Sequence, residues 1–330
     1  MGAGDASQFT RNTVKVGDLT IAYFRGGRGQ PLLYLHGLSG WSRWESYHMT
    51  LGLTNLIYAP QLPGWQDGQI PAGITSVRDY AQVMLQFLDA VGVNAVDLVG
   101  HSFGGWIALH IAVEYPARIS RLVLVDAMGV HVPEAPAANL EAMDEEVFLR
   151  AAFARSGVVV VRGDFGGVTE DVRKGQEFEK QWKSRGIVAK LVRGHYADLE
   201  LTQKVRTITA GTLIIWGRED GIVPWRHGEV LAAAIPRSKF AVIAEAGHTP
   251  MREKRETFQR IVRDFLIGQP GRRAGARVDG EGLNRTLGHW DRTALLERLR
   301  SPFALRLRFA TLRPNGGEED TNCNSSVRIF

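Results

Sequence analysis

The chain has 330 residues, of which 44% are hydrophobic and 23% charged, so it can build a sizeable core and wholesale disorder is excluded. Residues 269–330 hold eleven arginines and seven acidic residues, which accounts for +4 of the formal net charge of +5. The rest is nearly neutral, so we expect no nucleic-acid partner. The composition of 269–330 is typical of a linker and predicts a poorly ordered, arginine-rich tail.

The cellular setting follows from three further features of the sequence. Cys323 is the single cysteine, so no internal disulfide can form. The N-terminal residues lack the basic and apolar regions of a secretory signal. No apolar run has the length needed to cross a bilayer, so stable membrane insertion is not expected. We therefore expect a cytoplasmic protein whose stability comes from packing.

Short apolar stretches alternate with helical patterns along two parts of the chain. They follow a hairpin at Gly17-Asp18, and their β-branched and aliphatic residues are typical of strands covered on both faces. The predicted strands are 13–16, 20–24, 31–37, 55–60, 95–100, 121–127, 212–217 and 239–244; the predicted helices are 76–91, 103–115, 226–235 and 254–267. This alternation predicts an α/β fold, a mostly parallel sheet with helices on both faces.

The alternation stops between the two parts, over residues 130–207. This segment has helical patterns at 139–155 and 170–192 but no regular strand–helix repeat. An insertion of this kind is expected to cover the carboxyl edge of the sheet, where open α/β sheets bind ligands. We predict a core of residues 1–129 and 208–268 with a helical cap, the alternative being an ordinary second helical domain.

A candidate nucleophile lies in Gly100-His101-Ser102-Phe103-Gly104, a G-x-S-x-G pattern between a buried strand and a helix. A serine on such a sharp turn is lifted clear of the sheet, and side chains at the flanking glycine positions would clash. The turn also aims the first helical N–H groups at the substrate. These features favour Ser102 as a nucleophile over an ordinary glycine-rich turn.

A serine hydroxyl needs a base to take its proton. With a nucleophile on this kind of turn, an acid and then a histidine are expected later in the chain. His248 follows the last predicted strand, whereas His101 beside the nucleophile is expected to point elsewhere. Asp220 follows strand 212–217 and is the favoured acid; Asp126, at the end of strand 121–127, is the alternative, with Glu219 behind it.

The oxyanion formed during acyl transfer needs two hydrogen-bond donors. The backbone N–H of Phe103 follows the nucleophile and supplies one. The loop after strand 31–37 is expected to supply the other through the N–H of Leu38, because Gly37 permits a close backbone approach. A simple turn at this loop is the alternative.

Five motifs in order resemble those of the α/β-hydrolase superfamily, over about residues 20–267. They are HGLSG (36–40), APQLPGWQDG (59–68), GHSFGG (100–105), WGREDGIVP (216–224) and GHTPMREKRETF (247–258). The resemblance implies that Ser102, Asp220 and His248 are catalytic, that no cofactor is used and that a cap covers the binding pocket. No metal-ligand cluster, phosphate-binding loop or dinucleotide fingerprint is visible in the sequence, so no metal is expected.

Three positions depart from the superfamily's usual pattern. Gln61 and Gln66 stand where its D-x-P-G-x-G loop has an acid and a glycine, and Arg255 stands where a proline is common. Because that loop is structural, we expect altered packing and intact chemistry.

The substrate is expected to be a small molecule. Trp41, Trp106 and Phe148 are candidates to line an apolar pocket, although each also suits core packing. An apolar wall favours a serine esterase that cleaves a small to medium carboxylic ester through an acyl-enzyme. GHSFGG also resembles the motif of carbon–carbon hydrolases of ring-opened aromatic compounds, which typically have Asn and Trp where this chain has His101 and Thr249. A haloperoxidase-like enzyme, an acyltransferase and a non-enzymatic small-molecule receptor are further alternatives.

Overall fold

The computed structural model describes most of the chain up to Gly268 and three residues near its end. The described residues are 9–38, 40, 44–65, 69–154, 161–162, 169–170, 186–268 and 327–329. All of them belong to one compact unit formed by Met1–Pro270 and Val327–Phe330. Within these ranges, no helix has the length and apolar character required to cross a membrane.

A nine-stranded sheet carries the fold, and a pair of short strands forms a second sheet. The strands in chain order are β1 (Thr10–Val16), β2 (Leu19–Gly27), β3 (Gln30–Leu35), β4 (Asn55–Pro60), β5 (Val96–His101), β6 (Ile119–Val125), β7 (Val161–Arg162), β8 (Thr169–Glu170), β9 (Gly211–Gly217), β10 (Ser238–Ile243) and β11 (Val327–Ile329). Across the large sheet their order is β1-β2-β4-β3-β5-β6-β9-β10-β11. All neighbours from β4 to β10 pair in parallel, while β1, β2 and β11 pair antiparallel at the two edges. The predicted α/β sheet is confirmed.

Helices cover both faces of this sheet. In chain order they are α1 (Ser46–Leu51), α2 (Val77–Ala90), α3 (Phe103–Glu114), α4 (Glu145–Ala152), α5 (186–192), α6 (Leu199–Lys204), α7 (Arg226–Ala234), α8 (Pro250–Glu253) and α9 (Arg255–Ile267). One apolar core forms where α2, α3 and α7 pack on the sheet, and a second forms beneath α1 and α9. Ten of the twelve residues of α3 are buried, so this helix lies inside the protein.

The edge hairpin is longer than the sequence pattern predicted. Strands β1 and β2 extend to Thr10 and Gly27, beyond the predicted limits of 13 and 24. The reason is backbone pairing, because β2 pairs with β1 on one side and with β4 on the other. Gly17 in the turn has a φ of 56°, a left-handed conformation that glycine adopts readily.

In the described residues between β6 and β9, the helical stretches differ from the prediction. The predicted helix 139–155 is confined to α4, because Asp144 caps it by accepting from the Val147 N–H at 2.8 Å. The strands β7 and β8 also interrupt the segment. Of the predicted helix 170–192, residues 186–192 are helical and 171–185 lie outside the described residues. The role of this segment as a cap stays a prediction.

The end of the chain adds one strand to the sheet. Residues of β11 pair with β10, with Ala241 opposite Ile329 and Ile243 opposite Val327. The rest of the predicted poorly ordered tail, residues 269–326, lies outside the described residues.

Candidate active site

The turn that carries Ser102 joins strand β5 to helix α3. Ser102 has φ 54° and ψ −118°, a backbone conformation that costs a non-glycine residue about 1–3 kcal/mol and is found mainly at functional sites. A Cβ on Gly104 would collide with the carbonyl of Leu35, so β3 and the start of α3 approach closely only because glycine is present. The side chain of Ser102 is thereby held at the carboxyl edge of the sheet.

Two short hydrogen bonds connect Ser102, His248 and Asp220. The Nε2 atom of His248 lies 2.8 Å from the Oγ of Ser102, and its Nδ1 lies 2.7 Å from the Oδ2 of Asp220. A carboxylate accepts, so Nδ1 carries a hydrogen and Nε2 is left to accept the proton of the hydroxyl. The structure therefore brings together the three residues that the sequence singled out.

The carboxylate of Asp220 is fixed by the backbone that follows it. Its Oδ1 accepts from the N–H groups of Ile222 and Val223 at 2.8 and 2.9 Å. With the imidazole on the other oxygen, three donors hold this buried group, whose side chain is fully inaccessible. An unpaired buried carboxylate would be costly, so these donors are what allow Asp220 to lie here.

A second histidine, His101, positions the backbone of His248. Its Nε2–H donates to the carbonyl of His248 at 2.8 Å, and the two rings lie 5.2 Å apart. Burial, followed by the neighbouring His248, lowers the pKa of His101 well below its usual value. The sequence predicted that this residue points elsewhere, and no local pattern could reveal a contact between residues 147 positions apart.

Glu253 holds the loop that carries His248. Its Oε1 accepts from the N–H of Gly247 at 3.0 Å and from the hydroxyl of Thr249 at 3.2 Å, while its Oε2 accepts from the N–H of Ala154 at 3.0 Å. The N–H of His248 itself donates to the carbonyl of Ala152 at 2.8 Å. Sequence reasoning missed Glu253, although an acid a few residues after the glycine–histidine pair is a usable signal.

The predicted oxyanion donors lie beside Ser102. A Cβ on Gly37 would lie 2.9 Å from the Cβ of Ser102, which places the loop carrying Leu38 against the nucleophile. Phe103 follows Ser102 as the first residue of α3. Neither the Leu38 nor the Phe103 N–H donates to another group in the part of the chain that the structure describes. Both are therefore available to a substrate oxygen.

The loop before Leu38 is fixed by His36 and Trp65. The Nδ1–H of His36 donates to the carbonyl of Gly37 at 2.7 Å, and its Nε2 accepts from the N–H of Leu62 at 3.0 Å. The indole of Trp65 donates to the carbonyl of Leu38 at 3.0 Å. Burial lowers the pKa of His36 to about 4, so this ring is neutral at pH 7.

Asp126, the alternative acid, lies next to the same cluster but makes different contacts. Its Oδ1 accepts from the N–H of Gly217 at 2.9 Å, and its Oδ2 has no partner among the described residues. One carboxylate oxygen of Asp126, one of Asp220 and one ring nitrogen of His248 all lie within 4.8 Å of one another. Hydrogen bonds already engage both oxygens of Asp220 and the Nδ1 of His248, which leaves one oxygen of Asp126 to bind anything further.

Two of the three predicted pocket residues lie within the described part of the chain. Trp106 and Phe148 are both buried in the larger apolar core, and Trp106 also lines a cavity beside α3, one helical turn beyond Ser102. Trp41 lies outside the described residues. A pocket wall formed by these three residues stays a prediction.

The comparison with protein families agrees with this geometry. The model of the alpha/beta hydrolase family matches residues 32–260, which is more than half of the chain. The chain belongs to this family. The resemblance that five sequence motifs suggested is confirmed.

Curated relatives cover most of the chain at moderate identity. The chain is 27% identical over 282 residues to a 2-hydroxy-6-oxo-6-phenylhexa-2,4-dienoate hydrolase of Comamonas testosteroni, covering 80% of this chain and 97% of the relative. It is 29% identical over 256 residues to a 2-hydroxymuconate semialdehyde hydrolase of Pseudomonas sp. strain CF600, covering 73% and 88%.

Solved structures add a second group of similar proteins. A bacterial membrane phospholipase A matches with a TM-score of 0.65 and 25% identity, covering 79% of this chain and 86% of the other. A thermophilic esterase matches with a TM-score of 0.59 and 25% identity, covering 79% and 98%. The alpha/beta hydrolases similar to this chain therefore include enzymes named for cleaving different bonds.

Proposed function

We propose that this protein is a serine esterase that cleaves carboxylic esters with small to medium apolar groups through an acyl-enzyme. The observation that carries the proposal is the continuous hydrogen-bonded chain from Ser102 through His248 to Asp220. This chain lies at a strained strand–helix turn, beside the backbone N–H groups of Leu38 and Phe103, which have no acceptor among the described residues. Such an arrangement is suited to acyl transfer because it combines a nucleophile, a base and an oxyanion site.

In the first step Ser102 attacks the acyl carbon of the ester. Its Oγ forms the new bond while its proton moves to the Nε2 of His248, 2.8 Å away. Asp220 holds the ring in the required tautomer and stabilises the imidazolium that results. The carbonyl oxygen becomes an oxyanion, which the N–H groups of Leu38 and Phe103 stabilise; one such donor contributes about 3–4 kcal/mol.

The intermediate then collapses and the acyl group is released. The imidazolium of His248 gives its proton to the leaving alkoxide as the ester C–O bond breaks, which leaves the acyl group on Ser102. A water molecule attacks the acyl-enzyme, and His248 takes its proton and passes it to Ser102. The products are an alcohol and a carboxylic acid, and the enzyme returns to its starting state.

The ester proposal is supported by the site and by the solved structures at 25% identity, which are named as a phospholipase, a putative lipase and an esterase. The Nε2–H of His101, which precedes the nucleophile, donates to the backbone of His248, so this nitrogen is engaged within the protein. A substrate with apolar groups around its ester requires no such group.

A second candidate is the hydrolysis of a carbon–carbon bond in a ring-opened aromatic compound. The curated relatives at 27% and 29% identity carry names of this activity, and the chain covers nearly their whole length. The same nucleophile and base would serve this reaction. The difference lies in the groups that bind the rest of the substrate.

The test compares the two substrate classes on the same protein. We expect wild type to hydrolyse p-nitrophenyl butyrate and Ser102→Ala to lose at least a thousandfold in kcat. Ser120→Ala, which changes a part-buried serine on β6, is the control and should behave as wild type.

The second arm supplies 2-hydroxy-6-oxo-6-phenylhexa-2,4-dienoate and measures the release of benzoate. A kcat/KM for this compound that exceeds the best ester value by tenfold or more would favour the carbon–carbon reaction. Equal ester hydrolysis by wild type and Ser102→Ala would reject both readings of the site.

A further inference from the structure

Helix α4 ends against the two loops that carry Asp220 and His248. The carbonyl of Ala151 accepts from the N–H of Gly221 at 2.8 Å, and the carbonyl of Ala152 accepts from the N–H of His248 at 2.8 Å. Gly221 directly follows Asp220 in the chain. The end of a single helix is therefore hydrogen-bonded to both of these loops.

A third bond reaches the same place through Glu253. The N–H of Ala154 donates to its Oε2 at 3.0 Å, while its Oε1 accepts from the N–H of Gly247 at 3.0 Å and from the hydroxyl of Thr249 at 3.2 Å. The last two residues flank His248. The carboxylate of Glu253 thus links the chain just after α4 to the backbone on either side of the imidazole.

The carbonyls at the end of α4 need partners from outside the helix. The last carbonyls of an α-helix have no N–H partner within the helix itself. The chain leaves α4 at Phe153, whose φ of −128° and ψ of 138° are extended. His248 is buried, so without the carbonyl of Ala152 its N–H would have to find another acceptor or stay unpaired in the interior. The contact therefore satisfies groups on both sides.

Both loops have a glycine where they meet α4. A Cβ on Gly247 would lie 2.5 Å from the carbonyl oxygen of Ala152 and 2.9 Å from the Cα of Phe153. A Cβ on Gly221 would lie 3.0 Å from the Cα and from the carbonyl oxygen of Ala151. Neither glycine has a positive φ, so the backbone conformation does not require glycine at these positions. The close approach of α4 does.

The backbone of His248 is held from two sides. Its N–H donates to Ala152 on α4, and its carbonyl accepts from the Nε2–H of His101, the last residue of β5, at 2.8 Å. A residue held at one of these groups alone could turn about that bond. The contact with α4 therefore contributes to the direction in which the imidazole points.

We propose that residues 151–154, at the end of α4, are positioning residues for Asp220 and His248. The proposal rests on the proposed roles of His248 as base and of Asp220 as the acid that orients it. A helix that only enclosed the substrate would affect KM. A helix that sets the position of the base affects kcat, because a misplacement of about 1 Å costs about 100-fold in rate.

The first test changes the bond at Ala154. Ala154→Pro removes the N–H that donates to Glu253, whereas the matched control Ala154→Gly keeps it. The extended backbone of Phe153 is compatible with a following proline. We expect Ala154→Pro to lower kcat on p-nitrophenyl butyrate by about 5- to 50-fold with KM changed less than about threefold, and Ala154→Gly to stay within about threefold of wild type in both. Wild-type kcat in Ala154→Pro, an equal loss in the two variants, or a loss confined to KM would overturn the proposal.

The second test enlarges the loops where they meet α4. Gly247→Ala and Gly221→Ala each add a methyl group that must displace α4 from the loop, by more at Gly247 because its contact is shorter. We expect kcat to fall in both variants and to fall further in Gly247→Ala. Gly211→Ala, at the start of β9, is the control and should behave as wild type, because its Cβ would meet nothing within 4 Å. If Ala154→Pro does not fold, the milder Gly221→Ala replaces it, and wild-type kcat in Gly221→Ala would overturn the proposal.

The third test measures the imidazole itself and needs no substrate. Full-length protein labelled with nitrogen-15 histidine reports the tautomer of His248 by NMR, and loss of the ring signals in His248→Gln assigns them. Wild type should show the Nδ1–H tautomer, and Ala154→Pro and Gly221→Ala should add the Nε2–H tautomer. Unchanged ring signals in these two variants would overturn the positioning role, whatever their kcat. If wild type hydrolyses no ester, the proposed function fails, and the ring signals still decide the present inference.

Discussion

The carboxyl groups of Asp126 and Asp220 converge on one imidazole, that of His248, from the ends of two neighbouring strands. One oxygen of each carboxyl and one nitrogen of the ring lie within 4.8 Å of one another. Asp220 receives three hydrogen bonds, whereas Asp126 receives one and has φ 45°. Two buried acids at this distance cannot both be charged without a large cost, and the acid with fewer donors, Asp126, is the one whose pKa is raised.

The two acids should therefore respond differently to removal of their charge. We expect Asp220→Asn to lower kcat by about three to four orders of magnitude, because the amide no longer holds the required tautomer of His248. Asp126→Asn should stay within about fivefold of wild type at pH 7, since the amide resembles a neutral carboxyl. Steady-state kinetics on p-nitrophenyl butyrate measures both; a large loss in the Asp126 variant alone would contradict this assignment.

Asp126 should also make stability depend on pH. Burial, and then the charge of Asp220, raise the pKa of Asp126 well above its usual value. As pH rises, the unfolded chain loses this proton first, so wild type loses stability from the usual carboxyl pKa upward until Asp126 ionises in the folded state as well. The Asp126→Asn variant does not lose stability in this way, because its amide has no such proton. The free energy of unfolding, measured with urea at pH 4 and pH 7, should increase for the variant relative to wild type at the higher pH. The same difference in free energy between the two proteins at both pH values would contradict the raised pKa.

His36 should contribute a pH dependence of the opposite sign. Burial lowers its pKa from 6.5 to about 4, so the folded protein resists protonation at this ring. Stability is then present above pH 6.5 and is lost as pH falls toward 4, by about 3 kcal/mol in total. In His36→Gln the decline between these two pH values should be smaller by about that amount. His131→Gln, which changes an exposed histidine, should decline as wild type does.

Glu253 should affect turnover without touching the substrate. Its carboxylate accepts from both residues that flank His248, so Glu253→Gln removes charge-assisted bonds that position the imidazole. We expect kcat to fall by about 10- to 100-fold with KM changed less than threefold. Glu256→Gln, an exposed acid on α9, is the control. Equal losses in kcat for the two variants, or a loss confined to KM, would contradict a positioning role.

The sequence was sufficient for features that depend on local pattern. Strands β1 to β6, β9 and β10, the turn at Ser102 and the order of Ser102, Asp220 and His248 follow from apolar stretches and from spacing, and the structure places these three side chains in contact. The parts that could not be predicted depend on residues distant in the chain. His101 contacts a carbonyl 147 positions away, and nothing in its neighbourhood indicates this.

The roles of the predicted pocket residues also could not be assigned from the sequence alone. An aromatic residue near a nucleophile suits both a binding wall and a core, because both environments are apolar. Phe148 and Trp106 both belong to the larger apolar core, and Trp106 in addition lines a cavity beside α3. Only tertiary packing separates the two outcomes.

The most direct test of the account is to trap the acyl group on the enzyme. Wild type is mixed with p-nitrophenyl butyrate, quenched with acid within milliseconds and mapped by peptide mass spectrometry. We predict a butyryl adduct on the peptide that contains Ser102, and its absence from Ser102→Ala and from His248→Gln. An adduct on a different residue, or an undiminished adduct at Ser102 without His248, would contradict the proposed transfer of the proton from Ser102 to His248.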